Sequence, residues 1–259
     1  MIRHGDCLDE SLYPTDPVDL ILFDPPFPPK KQQYTQIWSD PHNPLESIVT
    51  PTPKEYPQWW DRLCHLLQLK LKDSGWFVVK SDDYGSKIIF PITSQYFDYL
   101  GDVIWNKINI GLGYYLRKQH EVLSVYRPKK PKNTYWARKM RKGVPKVGWH
   151  GASKERSFGS VLSILKIKNG ILGQQFQQHI NQSPVKLWYP FLKWMCPQKG
   201  SVLDPCAGIG SVGIACKQMG RKYHGIEIDQ EYVDVGNTRI KKASNQTLES
   251  FHTVSNDRR

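Results

Sequence analysis

The chain has 259 residues and a formal net charge of +12, with 39% hydrophobic and 23% charged residues. This length predicts one large domain, or one domain with a small insert, whose core needs neither disulfides nor a metal. The composition excludes a largely disordered chain, and no apolar run reaches the roughly 18 residues of a membrane-spanning helix. Because the N-terminal residues also lack the apolar stretch of a signal peptide, we expect an intracellular protein with no membrane partner.

Strands and helices alternate along the chain. Continuous apolar runs predict strands at 18–23, 76–79, 103–105, 122–126, 201–203 and 223–229. Helical spacing of apolar residues predicts helices at 59–71, 87–97, 184–195, 211–219 and 231–241, with Ser183 as the N-cap of the third and Pro91 unfavourable within the second. This alternation predicts a doubly wound, mostly parallel α/β sheet.

The five cysteines and eight histidines give no sign of a disulfide framework or a metal site. The cysteines are odd in number, and no two of them have CxxC spacing. The histidines show no paired ligand spacing either. We therefore expect reduced, mostly buried thiols and no metal.

Positive charge is concentrated in one segment, residues 127–168. It holds thirteen Lys or Arg residues and one acid, Glu155, so its net charge equals the +12 of the whole chain. The segment also contains four aromatic residues, Tyr135, Trp136, Trp149 and Phe158. A basic block with aromatic residues in an otherwise neutral chain suits a polyanion such as a nucleic acid. Charge alone fits a solvated, solubilising loop equally well, and only the motifs below favour the first interpretation.

A glycine-rich turn follows the strand at 201–203. Asp204 at the strand end precedes Gly208 and Gly210, and Glu227 ends the next strand 23 residues later. Glycines let the backbone approach a ligand, and a carboxylate at the second strand end can bind both hydroxyls of a ribose. An acid before the glycines suits a ligand with an ammonium group or hydroxyls better than one with phosphate. Each acid alone could be a turn or surface residue, but together they predict an adenosyl ligand.

A second motif, Asp24-Pro25-Pro26-Phe27, follows the first buried strand. Proline fixes the backbone, so the Asp24 carboxylate and the Pro25 carbonyl have fixed relative positions. Two neighbouring acceptors can bind both hydrogens of an amine, and Phe27 can stack on a planar base. Among 19 prolines this string alone would suit a rigid loop, but beside an adenosyl site it predicts a catalytic motif.

In this order the motifs resemble those of the permuted β class of S-adenosylmethionine-dependent DNA amino-methyltransferases, the N6-adenine/N4-cytosine family. In that class a (D/S/N)PP(Y/F/W) motif comes first, a target-recognition region follows, and the cofactor motif D-P-F-x-G-S-G-T comes last. Further strings resemble family elements: Gly5-Asp6-Cys7, His120-Glu121, residues 179–184 and residues 225–229. The chain departs from the family at Ser183 and Cys206, where the family has Lys and Phe.

The resemblance implies a circularly permuted, Rossmann-like methyltransferase fold. It implies a catalytic domain at 1–127 and 177–242, a basic target-recognition insert at 128–176 and a polar tail at 243–259. S-adenosylmethionine would be the cofactor, without a metal, and double-stranded DNA the partner, and the resemblance admits a homodimer and a cognate restriction enzyme.

The resemblance also implies a set of site residues. The catalytic residues would be Asp24, Pro25, Pro26 and Phe27. The cofactor would be bound by Asp6, Cys7, His179, Gln182, Ser183, Asp204, Pro205, Cys206, Ala207, Gly208, Gly210, Ser211, Glu227 and Asp229. The charge of the basic block, rather than a family motif, predicts DNA contacts by Lys132, Arg138, Lys139, Arg141, Lys142 and Lys146.

The implied reaction is methyl transfer to the N6 amine of an adenine that is flipped out of a short specific DNA sequence. Within the family, Asp before Pro-Pro favours adenine and Ser favours cytosine, so N4-cytosine methylation is the main alternative. RNA methylation is another, because basic aromatic blocks also suit RNA, although the motif order argues against it. A catalytically silent DNA-binding protein is the alternative from a different class. The intact Asp24, Gly208, Gly210 and Glu227 argue against it.

Overall fold

The structure is a computed structural model that describes residues 1–28, 51–108, 117–129, 160–164 and 182–243. Its strands are β1 (Ile2–His4), β2 (Val18–Phe23), β3 (Leu71–Ser81), β4 (Phe97–Asn106), β5 (His120–Pro128), β6 (Val161–Ser163), β7 (Ser201–Asp204) and β8 (Lys222–Glu227). Its α-helices are α1 (Tyr56–Lys70), α2 (Asp83–Tyr96), α3 (Tyr189–Met195), α4 (Ser211–Gln218) and α5 (Gln230–Lys242). Short 3₁₀ helices occur at Glu10–Leu12 and Val185–Leu187.

The strands form one mixed sheet in the order β1-β8-β7-β2-β3-β5-β4-β6. β5 is antiparallel to both β3 and β4, and all the other neighbouring pairs in the described sheet are parallel. The predicted mostly parallel sheet is therefore confirmed. From the middle of the sheet the chain continues in opposite directions. β2 is followed by β3 on one side, and β7 is followed by β8 on the other. In open α/β sheets such a switch point, between β7 and β2 here, forms a crevice at the carboxyl ends of the strands.

The central strand β2 is buried on both faces, as its continuous apolar run predicts. Ile21 and Phe23 pack in the core that includes α1 and α2, whereas Leu20 and Leu22 pack in the core that includes α3 and α4. In the described part of the chain, helices therefore cover both faces of the middle of the sheet.

The carboxyl end of β2 is fixed by aromatic packing. The buried Trp60 of α1 stacks on Phe23, with ring centroids 5.4 Å apart and an interplanar angle of 1°. Its indole Nε1 donates a hydrogen bond of 2.8 Å to Thr93 Oγ1 on α2. Because Asp24 follows Phe23 directly, this packing of α1 and α2 determines where the Asp24 carboxylate lies.

The predicted helix at 184–195 is wrong in its first half. The chain makes a 3₁₀ turn at Val185–Leu187, and α3 begins only at Tyr189. Pro190 is tolerated in the first turn of α3, whereas it would break a helix that began at residue 184. Ser183 is not an N-cap, because its buried hydroxyl donates to Asp24 Oδ2 at 2.6 Å.

Other element boundaries differ from the predictions. β3 begins at Leu71, five residues early, because Leu71 already pairs with Val18 of β2. α2 continues through Pro91, and its first turn is capped by Asp82, which accepts from the Gly85 amide at 2.6 Å. β1 was not predicted at all.

All five cysteines are free thiols in the structure. Four are buried, and Cys206 is partly buried. Within the described residues, no helix is long and apolar enough to cross a membrane. Residues 161–163, from the predicted insert, form β6 and pair in parallel with β4.

Two leucines of α1 test which face of this helix is buried. Leu67 is completely buried, whereas Leu69 is 57% exposed. We expect Leu67→Ala to lower the free energy of unfolding by about 2–5 kcal/mol, because it leaves a cavity against the sheet. Leu69→Ala, the matched control, should change it by no more than about 0.5 kcal/mol. Denaturant unfolding of both variants measures this difference, and equal effects would contradict the packing of α1.

Candidate functional site

The acidic residues of the two predicted motifs lie on neighbouring strands at the carboxyl edge of the sheet. Asp24 follows β2, Asp204 ends β7 and Glu227 ends β8. Asp6 follows β1, the next strand along. The chain thus brings four carboxylates, which are far apart in sequence, to the carboxyl edge of the sheet around the switch point, with Asp24 on one side and the other three on the opposite side.

The Asp24 carboxylate is held through both of its oxygens. Ser183 Oγ donates to Oδ2 at 2.6 Å, and Lys80 Nζ lies 3.1 Å from Oδ1. The side chain nevertheless remains 25% exposed, so it is accessible to a ligand. The Tyr56 hydroxyl donates to the Pro26 carbonyl at 2.9 Å and thereby anchors the loop after Asp24.

Lys80 on β3 is a site residue that the sequence analysis missed. Its side chain is 5% exposed, and its Nζ also lies 2.7 Å from Glu121 Oε2. Burial lowers the pKa of Lys80, but Asp24 and Glu121 more than offset this, so its pKa is raised overall. Burial likewise opposes ionisation of Glu121, yet Lys80 and Lys107 lower its pKa. These opposite shifts keep both groups charged. A lysine at the end of the apolar run of β3 was the signal that could have identified it.

Asp204 is almost completely buried, and its charge is only partly compensated. Tyr223, another residue that the analysis missed, donates its hydroxyl to Asp204 Oδ2 at 3.0 Å. The buried Oδ1 has no hydrogen-bond partner of good geometry among the described residues. Burial raises the pKa of Asp204 well above its ordinary value, and the nearby Asp24 and Glu227 raise it further. A cationic or hydrogen-donating ligand would satisfy this oxygen.

The loop between β7 and α4 depends on glycine. Gly208 and Gly210 have φ angles of +49° and +79°, in the left-handed region that favours glycine. A Cβ atom on Gly210 would also lie 3.1 Å from Ile240 Cδ1 and 3.3 Å from Ile2 Cδ1. The loop therefore adopts a tight path that brings backbone amides to the strand ends.

Glu227 joins this loop to β8. Its Oε2 accepts from the Gly208 amide at 2.7 Å, and its Oε1 accepts from the Asp229 amide at 3.1 Å. Burial raises the pKa of Glu227. Asp229 acts as the N-cap of α5, since its Oδ1 accepts from the amides of Glu231 and Tyr232 at 2.8 and 3.2 Å. Its carboxylate is therefore already used by the helix.

The Asp6-Cys7 pair lies against the β7–α4 loop. The thiols of Cys7 and Cys206 are neighbours. A hydrogen bond with the Cys7 thiol, together with burial, raises the pKa of Cys206 well above its usual value. Cys7 is buried, and its carbonyl accepts from the Tyr13 hydroxyl at 2.6 Å. The exposed Asp6 accepts from the Leu8 amide at 2.8 Å.

Gln182, which precedes α3 in the chain, contacts the first residue of α4. Its amide is 3.1 Å from Ser211 Oγ, and its oxygen, when turned toward donors, faces the guanidinium of Arg239 on α5. Arg239 also donates to the Ile209 carbonyl at 2.5 Å, and burial lowers its pKa to about 10. Arg239 was not predicted as a site residue, because its polar neighbours in α5 are typical of an exposed helix face. The remaining predicted loop residues Pro205, Cys206 and Ala207 lie between Asp204 and Gly208.

Several predicted site residues lie outside the described residues. They are His179, predicted to bind the cofactor, and the predicted DNA contacts Lys132, Arg138, Lys139, Arg141, Lys142 and Lys146. Phe27 is described and partly buried, with its ring centroid 4.9 Å from Lys80 Nζ. In the described part of the chain, no group of three His, Cys, Asp or Glu residues could hold a metal ion.

Comparisons with known proteins extend this picture. The N6/N4 DNA methylase family matches residues 18–238 of the chain. The type II methyltransferase M.HinfI of Haemophilus influenzae is 28% identical over 93% of this chain and 68% of its own. The type II methyltransferase M2.LlaDCHI of Lactococcus lactis subsp. cremoris is 23% identical over 96% of this chain and 91% of its own.

Solved structures show the same architecture. The M1.HpyAVI–SAM complex has a TM-score of 0.59 and 18% identity, covering 93% of this chain and 98% of its own. The PvuII DNA methyltransferase, a cytosine-N4-specific enzyme, has a TM-score of 0.62 and 17% identity, covering 96% and 88%. At these identities the likeness concerns the fold, and it confirms the Rossmann-like fold that the sequence predicts.

Proposed function

Because the chain belongs to the N6/N4 DNA methylase family, we propose that it methylates the N6 amine of adenine in a short DNA sequence, with S-adenosylmethionine as the methyl donor. One observation carries this proposal. The carboxylate of Asp24 is fixed and accessible at the switch point, beside acids that suit an adenosyl ligand. We also propose that the motif order is the circularly permuted one, with a catalytic domain at 1–127 and 177–242.

The residues of the β7–α4 crevice fit S-adenosylmethionine. The buried Asp204 Oδ1, which lacks a partner among the described residues, suits the ammonium group. Glu227 retains lone pairs for ribose hydroxyls, and Asp6-Cys7 would border the adenine. Gly208 and Gly210 let the backbone come close to the ligand. When bound, S-adenosylmethionine supplies an electrophilic methyl group on a sulfonium, which leaves as a neutral thioether.

The residues around Asp24 would prepare the target amine. The lone pair of an aromatic amine is delocalised into the ring, which makes the amine a poor nucleophile. Hydrogen bonds from its two N–H groups to the Asp24 carboxylate and the Pro25 carbonyl would localise this pair and direct it toward the methyl carbon. As the N–C bond forms, one amine proton leaves toward Asp24 or solvent. Phe27 would stack on the flipped base.

Adenine is favoured over cytosine by the residue before Pro-Pro, which is Asp24 rather than Ser. N4-cytosine methylation is the alternative, and the likeness of fold to the cytosine-N4-specific PvuII enzyme is compatible with it. The two reactions need the same geometry, since both place an amino group between the same two acceptors. Mapping of the modified base therefore distinguishes them.

The test of this proposal combines methyl transfer with a matched pair of variants. The wild-type protein, given unmethylated genomic DNA and S-adenosylmethionine, should produce methyl-adenine at one short sequence, as mapped by long-read sequencing. Asp24→Ala should lower transfer by about 10²-fold or more while cofactor binding stays largely intact. Asp73→Ala, which removes an exposed carboxylate of β3, should leave transfer unchanged.

Each result of this test has a definite meaning. Methyl-cytosine would replace adenine as the target and retain the mechanism. Normal transfer by Asp24→Ala would contradict the role of Asp24. Cofactor binding without any DNA modification by the wild type would contradict DNA as the substrate.

Asp204 leads to a prediction about pH. Because burial raises its pKa, Asp204 in the free protein holds its proton to a higher pH than an exposed carboxyl group does, whereas an ammonium group requires the carboxylate. Binding of S-adenosylmethionine should therefore release protons, and affinity should fall as the pH is lowered through the raised pKa. Calorimetry in buffers of different ionisation enthalpy measures this release.

The control for this measurement is Asp204→Asn. Proton release should decrease in that variant, although a part remains because the pKa of Glu227 is also raised. Proton release equal to that of the wild type would show that Asp204 does not ionise on binding.

DNA binding is proposed for the basic block. Lys139, Arg141 and Lys142 would contact phosphates, and each lost contact lowers the slope of log affinity against log salt by about 0.9. We expect the triple substitution of these residues by Gln to reduce the slope in binding assays. The same substitution at Lys217, Lys241 and Lys242, which are exposed on α4 and α5, should leave it unchanged. An unaltered slope in the first variant would exclude phosphate contacts by this block.

A further inference from the structure

We infer that Lys80 is a positioning residue that holds the Asp24 carboxylate and the Phe27 ring in the orientation needed for methyl transfer, an inference that rests on the proposed function. Lys80 itself need not touch the substrate. It acts through Asp24 and Phe27, the two side chains that we expect to contact the target base.

The sheet register places Lys80 beside Asp24. Phe23 of β2 pairs with Val79 of β3, so the next residues of the two strands, Asp24 and Lys80, are neighbours. Lys80 Nζ lies 3.1 Å from Oδ1, and Ser183 Oγ lies 2.6 Å from Oδ2. Contacts on both oxygens fix the plane of the carboxylate, and a carboxylate oxygen with one partner still has a lone pair for a substrate N–H.

Lys80 also lies under the aromatic ring of the motif. Its Nζ is 4.9 Å from the Phe27 ring centroid and 5.6 Å from that of Trp105. A cation over the face of an aromatic ring at this distance is attracted to it, more strongly when desolvated. One buried ammonium group therefore links the proposed hydrogen-bond acceptor to the proposed stacking ring.

A chain of alternating charges holds Lys80 in place. Lys80 Nζ lies 2.7 Å from Glu121 Oε2, and Glu121 Oε1 lies 2.9 Å from Lys107 Nζ. With Asp24 the four charges sum to zero, and the three members other than Asp24 each have at most 14% exposed side chains. Buried ion pairs are often no more stabilising than apolar residues of the same size. Their presence at the carboxyl edge, next to Asp24, thus suits a role in the site better than one in stability.

The contact with Lys80 serves the orientation of Asp24. A carboxylate with one partner on each oxygen presents its remaining lone pairs in fixed directions, which an amine with two N–H groups requires of its acceptors. Loss of Lys80 would leave Oδ1 without this partner, so the carboxylate would be less strictly oriented. Because the pKa of Lys80 is raised overall, Lys80 stays an ammonium and does not remove the proton from the amine.

The experiment compares substitutions of two lysines of the same strand in single-turnover methylation assays. Lys80→Met should lower the transfer rate about 10- to 100-fold at neutral pH, with cofactor affinity within about twofold of the wild type. Lys80→Arg, which keeps the charge, should restore most of the rate. Lys72→Met breaks an ion pair with Asp19, near the opposite end of β2, and should leave the rate unchanged.

A second variant tests the inference if Lys80→Met does not fold. Lys80→Met combined with Glu121→Gln removes both charges, and thermal unfolding together with cofactor binding checks its fold. This double variant should show the same loss of transfer rate at unchanged cofactor affinity as Lys80→Met.

The contradicting outcomes are distinct from a failure of the proposed function. A rate loss that is accompanied by an equal loss of cofactor affinity, or that Lys80→Arg does not reverse, would mean that Lys80 only supports the fold. A folded variant with wild-type kinetics would also overturn the inference. Absence of methylation by the wild type would instead overturn the proposed function itself.

Discussion

The parallel pairing of β2 with β7 is the constraint on which the site depends. Leu20 pairs with Val202 and Ile21 pairs with Leu203, although these residues are about 180 positions apart in the chain. Two strands that pair in parallel end at the same edge of a sheet. The pairing therefore brings Asp24 and Asp204 together, and the winding of the chain away from this pair opens the crevice between them.

Charge is managed differently on the two sides of that crevice. On the β2 side, Asp24 has a cation and a hydroxyl as partners, so its charge is balanced within the protein. On the β7 side, Asp204 is buried with the Tyr223 hydroxyl as its partner, and burial raises its pKa. One side thus has a preformed acceptor for a neutral amine, and the other suits a ligand that brings positive charge. This asymmetry suits the methyl transfer proposed above, from a cationic donor to a neutral amine.

Local sequence signals were sufficient for the strands that form the middle of the sheet and for the acids at their ends. Continuous apolar runs indicated β2 and β7, and prolines and glycines marked the turns that follow. Contacts between distant segments were not predictable in this way. Ser183 was predicted as a helix cap from its local sequence. Its hydroxyl instead binds the Asp24 carboxylate, which is close in space but 159 residues away in the chain, so no local pattern indicates this contact. β1 has only three residues, and its partner in the sheet is β8, far away in sequence. Lys80 lies beside Asp24 because of the register between β2 and β3, which the sequence does not reveal.

The position of β2 in the middle of the sheet affects how the protein can be synthesised. β2 leaves the ribosome about 180 residues ahead of its partner β7. At roughly 5–20 residues per second, one edge of this very apolar strand stays without its native neighbour for about 10–40 s. Such contacts between distant segments also slow folding. The nascent chain therefore exposes one edge of this apolar strand until β7 has been synthesised, and the crevice can form only after that point.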